Sequence, residues 1–281
     1  MANIMREIPE DALIDIVRRA GAAILDVYDS DFAVESKADT SPLTQADLAS
    51  HEIIVAGLEQ LTPLLPIVSE EATPAGFAER AGWAQYWLVD PLDGTKEFVN
   101  RNGEFTVNIA LIENHAPRYG IVGVPVQDLV YTGDVAAGDA RVLSADGTTK
   151  TLQGRAMSGT QATLDVVASR SHGGERLEGY LDALEARVAG LKRKPVGSSL
   201  KLCVLAAGEA DCYPRLGPTS EWDIAAAHAV LAAAGGGVYT FDGASLPYNT
   251  KESFLNPEFV AVADAGYDWF SLLPAVPDAD E

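Results

Sequence analysis

Between Pro9 and Tyr28 the apolar side chains Leu13, Val17, Ala20, Ile24 and Val27 recur at three- and four-residue steps, the stripe of an amphipathic helix. Pro9 and the acids after it suit a first turn. A second helix is expected from Thr44, where Thr44-Gln45-Ala46-Asp47 has the pattern of a capping box, through Ile53, Ile54 and Leu58 towards Leu61. The apolar runs LLPIVS and YWLVD follow, each closing on an acid, and both read as buried strands. From Phe105 to Val135 the pattern turns to strands: FTVNIALI alternates, APRYG reads as a turn, IVGVPV and LVYTGDV follow, and ADGTTK suggests a further hairpin.

After about Gln161 the rhythm changes to alternating strand and helix. LDVVAS, ADCYPRL, GVYTF and FVAVAD read as strands, and GGERLEGYLDALEARV, SSLKLCVLAAG and EWDIAAAHAVLAAAGG as helices, the last stopped by Gly235 and Gly236. The division predicts an α+β subdomain over residues 1–155 and an α/β subdomain over 156–281.

Composition narrows the function classes. The chain of 281 residues is ordinary in its apolar and charged fractions, but its formal net charge is −21. A surface for a nucleic-acid polymer wants positive potential, so that class is excluded. No apolar run is long enough to span a bilayer. The first residues lack a signal-peptide core. Both points lead to an expectation of a cytoplasmic protein, and its charge disfavours contact with the anionic lipid of the inner membrane. Cys203 and Cys212 have neither a CxxC spacing nor a nearby histidine, so neither a zinc site nor a disulfide framework is expected.

Chemistry concentrates at Asp90-Pro91-Leu92-Asp93-Gly94-Thr95. Two carboxylates three apart at the end of a strand, with a backbone carbonyl between them, are hard oxygen donors of the kind Mg²⁺ prefers. The same residues also make a plain surface turn. Their spacing fits neither an EF-hand loop nor the aspartate pair of haloacid dehalogenases. Glu70-Glu71 closes the neighbouring apolar run, and strands that end together place their acids in one crevice. Asp223, early in an apolar helix, is either a further ligand or a dipole-compensating acid. Asp47 is either functional or a capping acid.

Taken together, Asp47, Val68-Ser69-Glu70-Glu71, Asp90 to Thr95, Glu221-Trp222-Asp223 and Gly235-Gly236 closely resemble the inositol monophosphatase superfamily, in the right order over most of the chain. SKADTSPLTQAD, DPLDGTKEF with RNGEFTVNIALI, GSSLK, YPRLGPTSEWD and ESFLNP look most similar to its bacterial 3′(2′),5′-bisphosphate nucleotidase branch. The resemblance implies a layered αβαβα sandwich of two subdomains. It also implies Mg²⁺-dependent hydrolysis of 3′-phosphoadenosine 5′-phosphate to AMP and phosphate, with two or three metal ions and inhibition by lithium. By the same resemblance Glu70, Asp90, Asp93, Asp223 and the Leu92 carbonyl hold the metals. Asp47, Glu70 and Thr95 serve the attacking water, and Gly94 and Thr95 hold the phosphate. His172, Ser198, Lys201 and Arg215 contact the nucleotide. Inositol monophosphatase activity and a non-catalytic cation-binding role are the alternatives. Whether the protein is a monomer or a homodimer is open at this level.

Overall fold

A computed structural model describes residues 8–30, 42–157, 163–169 and 174–277. The chain forms α1 (Glu10–Tyr28), α2 (Pro42–Leu61), β1 (Ile67–Ser69), α3 (Phe77–Arg80), β2 (Gln85–Asp93), α4 (Thr95–Val99), β3 (Thr106–Glu113), β4 (Ala116–Val124), β5 (Leu129–Asp134), β6 (Asp139–Leu143) and β7 (Thr149–Thr151). The second half adds β8 (Thr163–Ser169), α5 (Gly174–Glu185), β9 (Gly190–Val196), α6 (Leu200–Ala206), β10 (Cys212–Arg215), α7 (Glu221–Ala233), β11 (Gly237–Thr240), β12 (Phe259–Val262) and α8 (Trp269–Leu272).

The strands build two sheets. The first runs β1 to β7 in chain order, and the second runs β11-β12-β10-β8-β9. In the first, β1 pairs parallel with β2 and each later neighbour is antiparallel. In the second, β8 is parallel to both β9 and β10, while β12 runs against β10 and β11.

Three hydrophobic cores stack these sheets into five layers. Leu13, Val17, Ala20 and Ile24 of α1 join Ile54 and Leu58 of α2 over Val107, Ile109 and Leu111 on one face of β3. Each such aliphatic side chain contributes about 1.5–3 kcal/mol when withdrawn from water. The opposite face, with Ala110 and Ile112, packs on α6 and α7, which meet Phe259 and Ala261 of the second sheet beyond them. That sheet's outer face is closed by Tyr180 and Leu181 of α5 and by Trp269 and Leu272 of α8. The order is helix, sheet, helix, sheet, helix: the expected αβαβα sandwich. The sheets divide between Thr151 and Thr163, yet α7 of the later half packs on β3, β4 and β5 of the earlier one.

Close approach explains the small residues in these elements. A methyl group added at Gly120 of β4 would lie 2.0 Å from the Ala226 carbonyl oxygen of α7, so the Ala-rich helix needs glycine opposite it.

Four local expectations are corrected. α2 spans Pro42–Leu61, so Thr44 and Asp47 lie inside the helix and Asp47 is not a capping acid. β2 continues through Pro91 to Asp93. Ala116–Gly120 is strand rather than turn: the reversal is made by Asn114 and His115, at φ 49° and 65°, and Pro117 is accommodated by a register shift after Leu111. Finally, GLKRKPV forms β9, an edge strand whose basic side chains hid it from a reading based on apolar runs.

Candidate active site

The cavity of interest holds about 300 Å³ and is lined by Glu70, Asp90, Leu92, Asp93, Gly94, Thr95, Ser198, Lys201, Arg215 and Asp223, among others. It therefore brings together nearly every residue singled out in the sequence. Asp47 stands on α2 outside the lining, though near enough for the charges of Glu71 and Glu70 to act on it. His172 lies outside the described residues.

Parallel pairing of β1 with β2 sets Glu70 beside the end of β2, its N–H donating to the Val89 carbonyl at 3.1 Å. Asp90 and Asp93 reach the same cavity through a bulge. Residues three apart in a regular strand point to opposite faces. Here Asp90 pairs with Asn108 and Asp93 with Thr106, so three steps on β2 match two on β3. The extra residue turns both carboxylates to the face carrying α6 and α7. The Asp90 carboxylate accepts the Leu92 N–H at 3.0 Å, and the Ser50 hydroxyl of α2 donates to the Pro91 carbonyl at 2.8 Å, fixing the bulge from both sides. Gly94, at φ 98°, takes the left-handed turn from β2 into α4.

Asp223 enters from α7. Its carboxylate accepts the Ser220 N–H at 3.0 Å in a reciprocal cap, so it compensates the helix and faces the cavity as well. The cations come from α6 and β10. Lys201 is buried, with Nζ donating to the Ser198 carbonyl at 2.9 Å and lying 5.7 Å from the centre of the Tyr213 ring. Arg215 is held by the carbonyls of Gly217 and Pro218, at 3.1 and 2.7 Å.

The acids hold protons that isolated carboxylates would release. Burial, then the charges of Asp93, Glu70, Asp223 and Asp47, pushes Asp90 well above the usual carboxylate range. Burial and Asp223 raise Asp93 to about 8, against the pull of Lys201 and the Ser199 N–H. Glu70, still open to solvent on one side, is raised to about 7 by burial and by Asp223, partly offset by hydrogen bonding with Asp90. Asp47 rises to about 8 through burial, Glu71 and Glu70. Asp223 is also raised by burial, with the Ser220 N–H and Arg215 opposing. Lys201 is lowered by burial, with Asp93 working against the shift.

Clustered like charge of this kind is the electrostatic signature of a cation site. Among the described residues no three His, Cys, Asp or Glu side chains are already drawn into a closed metal cage; the acids line the cavity wall. The donors are hard oxygens, which fit Mg²⁺ and not a thiolate-preferring metal.

In the native protein burial and neighbouring carboxylates raise Asp47, Glu70 and Asp93 to about 7 to 8, above the 3.8 of an ordinary Asp and 4.5 of an ordinary Glu. The folded state therefore binds more protons than the unfolded chain across that window, and stability falls as pH rises through it. In EDTA the melting temperature should drop between about pH 5.5 and about pH 8.5, and added Mg²⁺, which needs ionised ligands, should stabilise most at the high end. A melting temperature that Mg²⁺ leaves unchanged at every pH would contradict this.

The sequence reading missed Thr106, Asn108 and Ser199, buried polar residues beneath the cavity. The signal was present as two polar residues, two apart, in the otherwise apolar FTVNIALI.

The profile of the inositol monophosphatase family matches residues 8–267. The 3′(2′),5′-bisphosphate nucleotidase CysQ of Escherichia coli K12 is 47% identical over 252 residues, covering 89% of this chain and 97% of that one. Its counterpart from Buchnera aphidicola is 41% identical over 93% of this chain and 96% of its own. Among solved structures, CysQ from Bacteroides thetaiotaomicron superposes with a TM-score of 0.79 at 39% identity, over 90% of this chain and 97% of that one.

Proposed function

Since the chain belongs to the inositol monophosphatase family, we propose that it is a 3′(2′),5′-bisphosphate nucleotidase, hydrolysing 3′-phosphoadenosine 5′-phosphate to AMP and inorganic phosphate. The observation that carries the reading is the meeting, in one cavity, of Glu70, Asp90, Asp93 and Asp223, from three chain segments, with Lys201 and Arg215. The acids suit divalent cations, and the two bases suit a second phosphate that an inositol monophosphate lacks.

Glu70, Asp90, Asp93, Asp223 and the Leu92 carbonyl would hold the cations. Two or three ions, and inhibition by lithium, belong to the same proposal. When bound, Mg²⁺ supplies positive charge against the phosphate dianion and acidifies a water. The chain's own groups do the rest. Glu70 takes the proton from the attacking water. Asp47 and Thr95 orient that water. The new bond forms between the water oxygen and phosphorus as the bond to the 3′ oxygen breaks; the 3′ oxygen takes a proton from solvent to leave as a hydroxyl, and Glu70 returns the proton it took to solvent. Gly94 and Thr95 hold the transferred phosphate by their amides, while Ser198, Lys201 and Arg215 bind the nucleotide end. Positioning and charge neutralisation carry most of the rate in such a displacement.

The reading places the enzyme in the cytoplasm, where the buried, unpaired thiols of Cys203 and Cys212 suit a reducing compartment. No described helix is long and apolar enough to cross a membrane. Phosphate release from 3′-phosphoadenosine 5′-phosphate with Mg²⁺, extinguished by EDTA and restored by excess Mg²⁺, is the expected result. Release that EDTA does not affect would sink the cation part of the reading.

A further inference from the structure

We propose that Thr106, Asn108 and Ser199 form a buried hydrogen-bonded ring whose task is to fix the Asp93 carboxylate, making all three positioning residues for cation binding. The inference rests on the reading of Asp93 as a cation ligand. The Ser199 hydroxyl donates to Asn108 Oδ1 at 2.7 Å, the hydroxyls of Thr106 and Ser199 lie 2.8 Å apart, and Asn108 Nδ2 donates to Thr106 Oγ1 at 3.3 Å. Proton bookkeeping closes the circle. The single hydroxyl proton of Ser199 goes to Asn108, so Thr106 donates to Ser199 and receives in turn from the Asn108 amide.

The three side chains are 0%, 1% and 2% exposed. A buried polar group left without a partner costs about 1–3 kcal/mol, whereas apolar replacement of a whole bonded set is close to neutral. Stability alone therefore gives no reason to keep a polar ring at the junction of β3 and α6. Its position does: Thr106 and Asn108 are the register partners of Asp93 and Asp90. Ser199 is also the residue whose backbone N–H donates to Asp93 Oδ2.

The turn that delivers this N–H needs holding. Ser198 sits at φ 43°, a left-handed conformation unusual for a residue with a side chain. The turn is pinned further by Gly197 N–H donating to the Glu104 carboxylate at 2.7 Å and by the Ser198 hydroxyl donating to the Glu104 carbonyl at 2.6 Å. Anchoring Ser199 by its hydroxyl keeps its N–H on one oxygen of Asp93. That contact sets the plane of the carboxylate, and so the direction from which its other oxygen meets a cation. Partners of this kind typically change metal affinity by about 10- to 100-fold.

The test is calorimetric titration of Mg²⁺ into the nucleotide-free full-length protein. Thr106→Val, which removes the hydroxyl at nearly constant shape, and Ser199→Ala should each weaken Mg²⁺ binding about 10-fold. Thr106→Ser, which keeps the hydroxyl, should bind as wild type. In turnover the Mg²⁺ concentration for half-maximal rate should rise in the two weakened variants, with KM for the nucleotide unchanged at saturating Mg²⁺. Asp93→Asn is the reference. Should it bind Mg²⁺ as wild type, the ligand reading fails and takes this inference with it. Should it bind weakly while Thr106→Val and Ser199→Ala bind as wild type, the ligand reading stands and the ring is merely structural, which overturns the inference.

Discussion

Asp90→Asn is expected to lower turnover by a factor on the order of 10³ or more while making the metal-free protein more stable. The two effects share one cause. Asp90 is 1% exposed, and the charges acting on it, those of Asp93, Glu70, Asp223 and Asp47, are all negative. An amide cannot supply the anionic oxygen a hard cation wants, so the catalytic charge is lost. The same change removes a buried carboxyl whose ionisation the empty fold opposes, a cost that grows as pH rises above the ordinary carboxylate range. In EDTA the variant should melt above wild type near pH 8, and the gap should narrow or reverse when Mg²⁺ is added, since only wild type regains its full ligand set. Near-normal turnover would show that Asp90 is not a ligand. Loss of activity together with loss of stability in EDTA would point to a disturbed bulge.

Lys201→Met should cut kcat/KM for 3′-phosphoadenosine 5′-phosphate by about 10- to 100-fold, the range expected for one hydrogen bond to a charged group. The lysine is buried, and burial holds its pKa down while Asp93 pulls it up. A phosphate arriving beside it meets the lysine in a buried setting, so the interaction is stronger than an exposed ion pair would be. Adenosine 3′-monophosphate, which lacks the 5′-phosphate, is the control and should lose little. Equal loss on both substrates would show that Lys201 serves the enzyme through Asp93, with no role in recognising the second phosphate.

Asp90 and Asp93 were visible as acids closing an apolar run, but their shared direction was not. It depends on a bulge that shows only in the pairing of β2 with β3. The αβαβα layering was carried by the resemblance, and the apolar pattern agreed with it because α1 and β3 each bury what their periods predict. Pro117 and the basic run in β9 misled for a common reason. Both are residues that strands admit at irregularities and edges, which a local pattern cannot distinguish from loops. Lys201 was named by the resemblance alone; the structure buries it against the Tyr213 ring, lining the cavity. The ring of Thr106, Asn108 and Ser199 joins residues far apart in the chain, so only the two polar positions in β3 could hint at it.

The most direct test of the central claim is phosphate release from 3′-phosphoadenosine 5′-phosphate and inositol 1-phosphate, measured side by side with Mg²⁺ and with EDTA. The account predicts Mg²⁺-dependent release with a strong preference for the nucleotide. A preference for the inositol ester would contradict the assignment of Lys201 and Arg215 to a second phosphate, and silence on both esters would contradict catalysis itself.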